Sequence, residues 1–344
     1  MQTAIVSIIV FSVLILVHEF GHYAVAKLAG VRVEEFSLGM GTKIVGKKYG
    51  ETLYSIRALP LGGYCKMTGE NVEGNEEQND PKRFDKKPLW ARVAIVITGP
   101  LMNFFLAVVI FIIIFTTLGV PNDFQNIIGK VMDGKPAQLV GIQEDDRIVS
   151  VNNKPVEGWN ELVDLIRNSS GNELHLEIER GNEILIKDVV PQYDKNNKVA
   201  LLGISPKELK YEQVGFFTGV IEGFTYTFKL TVNMVEQVGL LIARKIPSEG
   251  VTGPVGIIKI IGEQASFGII NLANLTAIIS INLGLINLFP IPALDGGRLF
   301  FFVIEGIRGK KVNPEKEGMV HFIGFVLLMA LMIFITWKDI LRII

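Results

Sequence analysis

The pentapeptide His-Glu-Phe-Gly-His at positions 18–22 combines residue types that can bind a metal ion and catalyse hydrolysis. His18 and His22 are four residues apart, so on a helix both imidazoles project from one face and can share one ion. Glu19 is adjacent and can act as a general base toward water. The surrounding stretch, about residues 3–27, is apolar, and a carboxylate at mid-bilayer costs about 2.5 kcal/mol or more. The motif therefore indicates a functional site.

A third metal ligand must come from another part of the chain. The extended pattern HExxHxxGxxH, which would supply a third histidine, is not present, because its glycine and last histidine are replaced by Val25 and Leu28. No glutamate that could be the third ligand lies about twenty residues beyond the second histidine. Asp295 is the candidate, because it follows a long apolar run that contains no other acid. Two histidines, one carboxylate and water make an open tetrahedral zinc site, so we expect one Zn²⁺ per chain. The alternative for Asp295 is a helix cap or a salt bridge to Arg298.

Four apolar stretches are long enough to cross a bilayer as helices, which takes about 20 residues. They run over about residues 3–27, 92–120, 268–290 and 320–337. Hydrophobic residues make up 49% of the 344 positions and charged residues 20%, which indicates membrane spans together with a water-exposed module. Pro290 and Pro292 lack backbone donors and are predicted to end the third stretch just before Asp295.

A fifth stretch, residues 215–243, is predicted to form an amphipathic helix at the membrane surface. Glu222, Lys229 and Glu236 are seven residues apart, so they lie near one stripe of the helix. A helix that spans lipid would not carry three such charges without partners.

The distribution of lysine and arginine predicts the orientation of the spans. Both residues are abundant in the loop between the first and second spans and in the loop between the third and fourth. Such loops are cytoplasmic by the positive-inside rule. We therefore expect the metal site to lie toward the cytoplasmic side, with both termini and the region of about 121–267 on the other side of the membrane.

Charge and cysteine content exclude two other classes of protein. The formal net charge is −1, so nucleic-acid binding has no electrostatic support. Cys65 is the only cysteine, which excludes an intramolecular disulfide and a multi-cysteine metal site. We expect Cys65 to fill space in a strand, and His175 and His321 to occupy ordinary polar positions away from the metal.

The region of about 31–67 is predicted to form a β-loop associated with the membrane. Its patterns indicate four short strands, punctuated by glycines and prolines that include Gly62 and Gly63. The predicted strands are residues 31–36, 43–48, 53–58 and 63–67. Residues 69–87 are polar and have the composition of a flexible linker.

Residues 127 to about 192 alternate strand-like and helix-like periods with turns between them. This order resembles the PDZ domains of bacterial proteases, which bind an extended peptide by strand addition. The resemblance implies a peptide-binding strand made of Ile127, Ile128, Gly129, Lys130 and Val131. The alternative is that the module only excludes bulky extracytoplasmic domains by its size.

Taken over nearly its full length, the sequence resembles the site-2 protease family of intramembrane zinc metalloproteases, and within it the bacterial regulator of sigma-E type. The segments that carry the resemblance are HEFGH, SLGMG, LPLGGY, ITGPLMNFF, VTGPVGI and NLFPIPALDGGR. The resemblance implies that zinc binds His18, His22 and Asp295, that Glu19 is the catalytic base, and that Asn287 helps to hold the substrate backbone. It also implies that a strand-forming loop, about Phe36 to Met67 with Gly62 and Gly63, supports the substrate.

The expected fold is a multi-pass α-helical membrane protein with four transmembrane helices, a membrane-associated β-loop and one α+β PDZ domain. Its expected parts are residues 1–120, the PDZ domain at 121–205, a linker with the amphipathic helix at 206–267, and residues 268–344. The expected function is cleavage of single-span membrane proteins, either anti-sigma factors or remnant signal peptides, in a bacterial cell membrane. Two alternatives are a metal transporter or zinc sensor without hydrolysis, and a non-catalytic PDZ scaffold.

Overall fold

The computed structural model describes residues 2–70, 80–121, 126–169, 171–194, 199–207, 211–243 and 252–343. The helices are α1 (Gln2–Leu28), α2 (Leu89–Thr117), α3 (Pro136–Leu139), α4 (Trp159–Asn168), α5 (Phe216–Ile242), α6 (Pro254–Ser266), α7 (Ile269–Leu288), α8 (Asp295–Arg308) and α9 (Pro314–Ile343). The strands are β1 (Val33–Tyr49), β2 (Thr52–Met67), β3 (Val120–Pro121), β4 (Ile128–Val131), β5 (Arg147–Val151), β6 (Lys154–Pro155), β7 (Leu174–Arg180), β8 (Glu183–Val189), β9 (Gln192–Asp194), β10 (Val199–Leu201), β11 (Ile204–Pro206) and β12 (Tyr211–Glu212).

Four helices in the described part of the chain are long and apolar enough to cross a membrane. They are Gln2–Leu28, Leu89–Thr117, Ile269–Leu288 and Pro314–Leu341, which agrees with the four predicted spans. The last of them starts six residues earlier than the sequence pattern indicated. Its first turn contains charged residues, so the apolar pattern does not include that turn. The Asn313 side chain accepts a hydrogen bond of 2.8 Å from the backbone of Glu315, which helps to start the helix there.

The chain divides into two compact units. The first comprises Met1–Phe111, Gly223–Glu236 and Glu249–Ile344, and the second comprises Ile112–Glu222 and Gln237–Ser248. In the first unit, one apolar cluster joins α1, the β1–β2 hairpin, α2 and α8. Its buried members are Ala26, Val31, Val33, Cys65, Met67, Phe84, Ile95, Val96 and Phe302. This cluster anchors the elements that carry the predicted site.

The four short strands predicted for residues 31–67 are joined pairwise into the two long strands β1 and β2. Residues 33–38 of β1 pair on one side with 63–67 and on the other with 53–56 of β2, while residues 43–49 pair with 52–57. The segment Gly63–Met67 therefore lies at one edge of the sheet. The strands were predicted to be separate because Gly39, Gly41 and Gly62, all with positive φ, bend the long strands instead of ending them.

An ionic contact fixes the register inside this hairpin. The Glu35 carboxylate accepts hydrogen bonds from Ser55 Oγ at 2.5 Å and from Arg57 Nη2 at 2.7 Å. Burial alone would raise the pKa of Glu35, but the hydrogen bonds from Ser55, Arg57 and Tyr64 and the charge of Arg57 together outweigh it and lower that pKa.

Two helices of the first unit, α6 and α8, were not predicted from the sequence. Helix α6 begins at Pro254, a residue suited to the first helical position, and the Asp339 carboxylate of α9 accepts hydrogen bonds from the backbone of Gly253 and Gly256. Helix α8 begins at Asp295 and is followed by Gly309 at φ 66°, a left-handed position that favours glycine. Both helices are short, so neither stands out by length or by apolar content.

The second unit is built around a four-stranded sheet with strand order β6-β5-β7-β8. Helix α4 contributes the buried residues Trp159, Leu162 and Ile166 to its core. The remaining buried core residues of this unit include Ile128, Ile142, Ile148, Val151, Leu174, Leu176, Ile178, Val189 and Leu202. An α+β module is therefore present in this region, as the sequence pattern indicated.

The strand proposed to accept a peptide, Ile127–Val131, already has neighbours from this chain. Strand β4 pairs with β11 in antiparallel fashion along one edge, from Ile204↔Val131 to Pro206↔Ile128. On its other edge the Ile128 amide donates to the Asp146 carbonyl at 2.7 Å. These contacts therefore do not support the addition of a peptide strand at Ile127, Ile128, Gly129, Lys130 and Val131. One edge of this strand is already paired with β11. Strand β11 lies beyond the predicted core of 127–192, so the sequence pattern did not indicate this pairing.

Helix α5 covers the stretch predicted to be amphipathic, and it is not among the four candidate spans of the described chain. Its interfacial position stays a prediction. Residues 71–79 of the predicted linker, and residues 208–210 and 244–251 of the predicted region 206–267, lie outside the described residues.

Candidate metal centre

Helix α1 presents His18 and His22 on one buried face, as their spacing predicts. Their ring centroids are 4.8 Å apart in an edge-to-face arrangement, and their Nε2 atoms are 3.2 Å apart. Both residues are buried. The two imidazoles therefore point their Nε2 atoms at a common position.

Asp295 reaches the same position from the first turn of α8. Its Oδ2 atom lies 3.1 Å from His18 Nε2 and 3.4 Å from His22 Nε2. The three side chains form the one group of histidine, cysteine and acidic residues in the described chain that could hold a metal ion. The alternative salt bridge to Arg298 is not formed, because Arg298 pairs with Glu70.

The spacing of the three atoms fits a tetrahedral metal ion. With bonds of about 2.0–2.1 Å, the ligand atoms of tetrahedral zinc lie about 3.3–3.4 Å apart. The observed distances are 3.1, 3.2 and 3.4 Å. Asp295 Oδ2 is also buried with no hydrogen-bond partner among the described residues, an arrangement that costs free energy unless a cation is bound there. The residues present therefore fit a divalent ion such as zinc.

His22 is oriented by helix α2. Its Nδ1 lies 2.9 Å from the Ile95 carbonyl oxygen, which can only accept a hydrogen bond, so Nδ1 carries the proton and Nε2 presents a lone pair to the centre. This close approach depends on Gly99, because a Cβ at that position would collide with the His22 imidazole. Gly21 of α1 makes the matching contact, since a Cβ there would lie 2.5 Å from the Thr98 carbonyl oxygen.

Asp295 is positioned by the sharp connection between α7 and α8. Helix α7 ends at Leu288, as the prolines at 290 and 292 predict. A Cβ at Gly296 would collide with the carbonyl oxygens of Leu288 and Phe289, so glycine lets α8 begin directly against the end of α7. The turn also holds Ala293 at φ 77°, which is strained for a residue with a side chain.

The three candidate ligands line a cavity of about 520 Å³ that is also lined by other predicted site residues. Glu19 and Asn287 line it, and so do Tyr64, Cys65 and Met67 of the β2 edge segment. Gly63 lies beside Glu19, since a Cβ there would be 3.6 Å from Glu19 Cγ. Gly62, at φ 96°, instead bends β2 against Met40. The predicted peptide strand Ile127–Val131 belongs to the second unit.

Sequence reasoning missed three residues of this cavity. Arg298, one turn after Asp295 on α8, forms a partly buried ion pair with Glu70, which follows β2. His321 of α9 was expected at an ordinary polar position, but it lines the cavity and accepts a 2.9 Å hydrogen bond at Nδ1 from the Ala293 amide. The spacing of three residues between Asp295 and Arg298 could have indicated that Arg298 lies near the site. No local pattern links Glu70 or His321 to it. All three also line a second cavity of about 560 Å³.

The sequence matches Peptidase family M50 over residues 6–331. The chain belongs to this family. A Clostridium acetobutylicum protein is 43% identical over 98% of this chain and 96% of its own length. Zinc metalloprotease RasP of Bacillus licheniformis is 34% identical, and Regulator of sigma-W protease RasP of Bacillus subtilis is 32% identical, each over 99% of both chains.

Family membership confirms the prediction of an intramembrane zinc metalloprotease of the site-2 type in a bacterial membrane. It disfavours the metal transporter, the zinc sensor and the non-catalytic scaffold. Zinc is the cofactor that the names of the relatives imply. The alignments with the two Bacillus proteins extend over 423 and 418 positions, so those relatives carry inserted sequence that this 344-residue chain lacks.

Proposed function

We propose that this chain hydrolyses peptide bonds in or near the transmembrane segments of single-span membrane proteins, at one zinc ion per chain held by His18, His22 and Asp295. The observation that carries the proposal is the triangle of Nε2, Nε2 and Oδ2 atoms with sides of 3.1–3.4 Å inside a cavity that also contains a further carboxylate, Glu19. A site that only binds or transports metal has no need of that carboxylate.

Glu19 is assigned the proton transfers. A zinc ion bound at this site supplies positive charge that polarises a peptide carbonyl and makes water more acidic. Glu19 accepts the proton from the attacking water and then donates it to the amine nitrogen of the leaving peptide. Glu19 lines the same cavity as His18, His22 and Asp295, which supports this role.

The edge segment Gly63–Met67 is assigned the binding of the substrate chain. A substrate helix hides its carbonyls in hydrogen bonds, so it must unwind before attack, and an extended chain can pair with a free strand edge. Tyr64, Cys65 and Met67 line the cavity, and Gly63 brings the strand beside Glu19. Asn287, which also lines the cavity, is suited to hydrogen-bond the substrate backbone.

The proposal also covers the class of substrate and the orientation of the chain in the membrane. One relative is named Regulator of sigma-W protease, which supports anti-sigma factors as substrates, with remnant signal peptides as the second class. The charge distribution supports a site toward the cytoplasm, with the termini and residues 121–205 on the other side. We infer that residues 121–205 form a PDZ domain. The exposed apolar side chains of α5, including Phe217, Ile221, Phe224 and Phe228, support its contact with the membrane surface.

Glu19→Gln tests the catalytic assignment in purified protein reconstituted with a single-span substrate. We expect one zinc per chain, as in the wild type, and a loss of cleavage of at least about 10²-fold. The matched control is Glu263→Gln, an exposed glutamate of α6, which should cleave normally. Undiminished cleavage by Glu19→Gln would overturn the role of Glu19. Membrane proteomics of cells with the same variant should reveal small membrane stubs that accumulate, and these identify the substrates.

A further inference from the structure

Asn103 is a fully buried polar residue of α2 that contacts a predicted metal ligand. Its side-chain amide lies 3.2 Å from Nδ1 of His18, and its exposed fraction is 0%. It belongs to the segment ITGPLMNFF, which the function proposed above does not otherwise use. The Ser280 hydroxyl of α7 donates a 2.7 Å hydrogen bond to the Asn103 backbone carbonyl, so this part of α2 is held in place.

The two ends of the Asn103 amide have opposite consequences for His18. In the arrangement described, Nδ2 faces Nδ1 of His18, and Asn103 Oδ1 is buried with no partner among the described residues. An N–H donor at that contact requires a lone pair on Nδ1 and therefore places the imidazole proton on Nε2, the atom that faces Asp295. Nitrogen and oxygen of an amide are assigned from their hydrogen bonds, so rotation by 180° about the last torsion is equally compatible with the side-chain shape.

The neighbouring ligand indicates which arrangement the metal site requires. His22 donates from Nδ1 to the Ile95 carbonyl and so presents a lone pair at Nε2. His18 can bind the same ion through Nε2 only if its proton also sits on Nδ1, and Nδ1–H then needs an acceptor. Asn103 Oδ1 can be this acceptor, because the Asn103 amide lies next to Nδ1 of His18. Outer hydrogen bonds of this kind fix the tautomer and ring orientation of metal-binding histidines.

We propose that Asn103 is a positioning residue of the metal centre, whose Oδ1 accepts a hydrogen bond from Nδ1–H of His18 and holds that imidazole ready to bind metal through Nε2. The inference rests on the metal centre proposed above. It assigns to α2 the orientation of both histidines, one through the Ile95 backbone and the other through the Asn103 side chain.

Two substitutions of similar size separate this role from simple packing. Asn103→Asp keeps an acceptor and removes the amide donor, whereas Asn103→Leu removes both. We expect Asn103→Leu to bind zinc about 10- to 100-fold more weakly than the wild type, and Asn103→Asp to bind within a few-fold of it. Asn271→Leu, an exposed asparagine of α7, is the matched control and should bind normally. Affinity is measured by competition with a chelator, and thermal unfolding of the metal-free variants checks their folding.

Each outcome bears on one proposal. Wild-type affinity in Asn103→Leu, or equal weakening in Asn103→Asp, would overturn the positioning role while leaving the metal centre intact. A wild-type protein that binds no zinc would overturn the metal centre itself. If Asn103→Leu does not fold, the ¹⁵N NMR spectrum of zinc-loaded wild-type protein labelled with ¹⁵N-histidine still tests the proposal, because it shows which imidazole nitrogens are protonated. Protonated Nδ1 on both metal-bound imidazoles is expected, and a protonated Nε2 on His18 would overturn the proposal.

Discussion

Arg92 contacts both carboxylate oxygens of Glu305, with Nη1 at 3.0 Å from Oε2 and Nη2 at 2.5 Å from Oε1. The two side chains are only 7% and 15% exposed. The pair joins the first turn of α2, the helix that orients His22, to α8, the helix that begins with Asp295. It therefore helps to hold the two sides of the metal centre at a fixed separation.

Arg92→Ala is expected to destabilise the protein by about 3–5 kcal/mol, because it leaves the Glu305 carboxylate buried without a partner. Arg92→Met combined with Glu305→Met should lose much less, since it removes both charges together. Unfolding in mixed detergent micelles measures both free energies. Arg308→Ala, at the exposed end of α8, is the matched control. A loss in Arg92→Ala no larger than in this control would contradict the structural role of the pair.

Gly99→Ala is expected to damage the metal centre, because the added Cβ would collide with the His22 imidazole. The displaced ring should weaken zinc binding by at least about tenfold and lower cleavage by about 10²-fold. Zinc content after dialysis and cleavage of a reconstituted substrate measure the two effects. Gly318→Ala is the control, since a Cβ at this glycine of α9 meets no atom within 4 Å. Normal zinc retention by Gly99→Ala would show that the helices can separate at little cost.

The three residues of the proposed metal centre could be singled out from the sequence because they lie in local patterns. Two histidines four residues apart in an apolar helix are typical of a metal site, and the prolines before Asp295 mark a break in the next long helix. The four spans were predictable from length and composition alone. The α+β character of the second unit was predictable because the apolar residues of its strands and of α4 recur with regular strand and helix periods.

The parts that could not be predicted depend on contacts between distant segments. Glu70 follows β2 and Arg298 lies in α8, and nothing near either residue indicates the pairing. The long bent strands β1 and β2 were divided because glycine usually ends a strand, whereas here each glycine with positive φ allows a bend within it. Helix α8 was missed because its glycine pair disfavours a helix locally, whereas the close approach to the end of α7 requires Gly296 and the approach to the turn after α7 requires Gly297.

Cys65 is expected to react slowly with maleimides in the folded protein. Burial raises the pKa of its thiol, the carboxylates of Glu19 and Glu70 raise it further, and the thiolate is the reactive form. Because it is the only cysteine, mass spectrometry of the intact chain measures its labelling directly. A Cys65→Ala, Lys154→Cys variant, which carries the thiol at an exposed position of the short strand β6, should react far faster at the same pH. Equal rates would show that the cavity edge opens freely.

The stability of the second unit is expected to fall in acid because of Asp146. This carboxylate is 1% exposed and accepts hydrogen bonds from Arg180 Nε at 2.7 Å, Arg180 Nη2 at 2.8 Å and the backbone N–H of Gln143 at 2.8 Å. Burial would raise the pKa of Asp146, but the hydrogen bonds from Arg180 and Gln143 and the positive charges of Arg180 and Lys187 together outweigh it and lower that pKa. The stabilisation is thus complete above the unfolded pKa, about 3.9, and is lost as the pH falls through that value toward the folded one.

Trp159 reports this transition, because it lies in the core of the second unit, while Trp90 and Trp337 are exposed and can be replaced by phenylalanine. Thermal unfolding followed by Trp159 fluorescence should shift to lower temperature between about pH 5 and pH 3. Asp146→Asn should be less stable than the wild type at pH 7 and should respond less to pH, since its side chain carries no charge to lose. Asp164→Asn, an exposed position of α4, should keep the wild-type response. An Asp146→Asn protein with an undiminished acid shift would mean that other carboxylates control the acid stability of this unit.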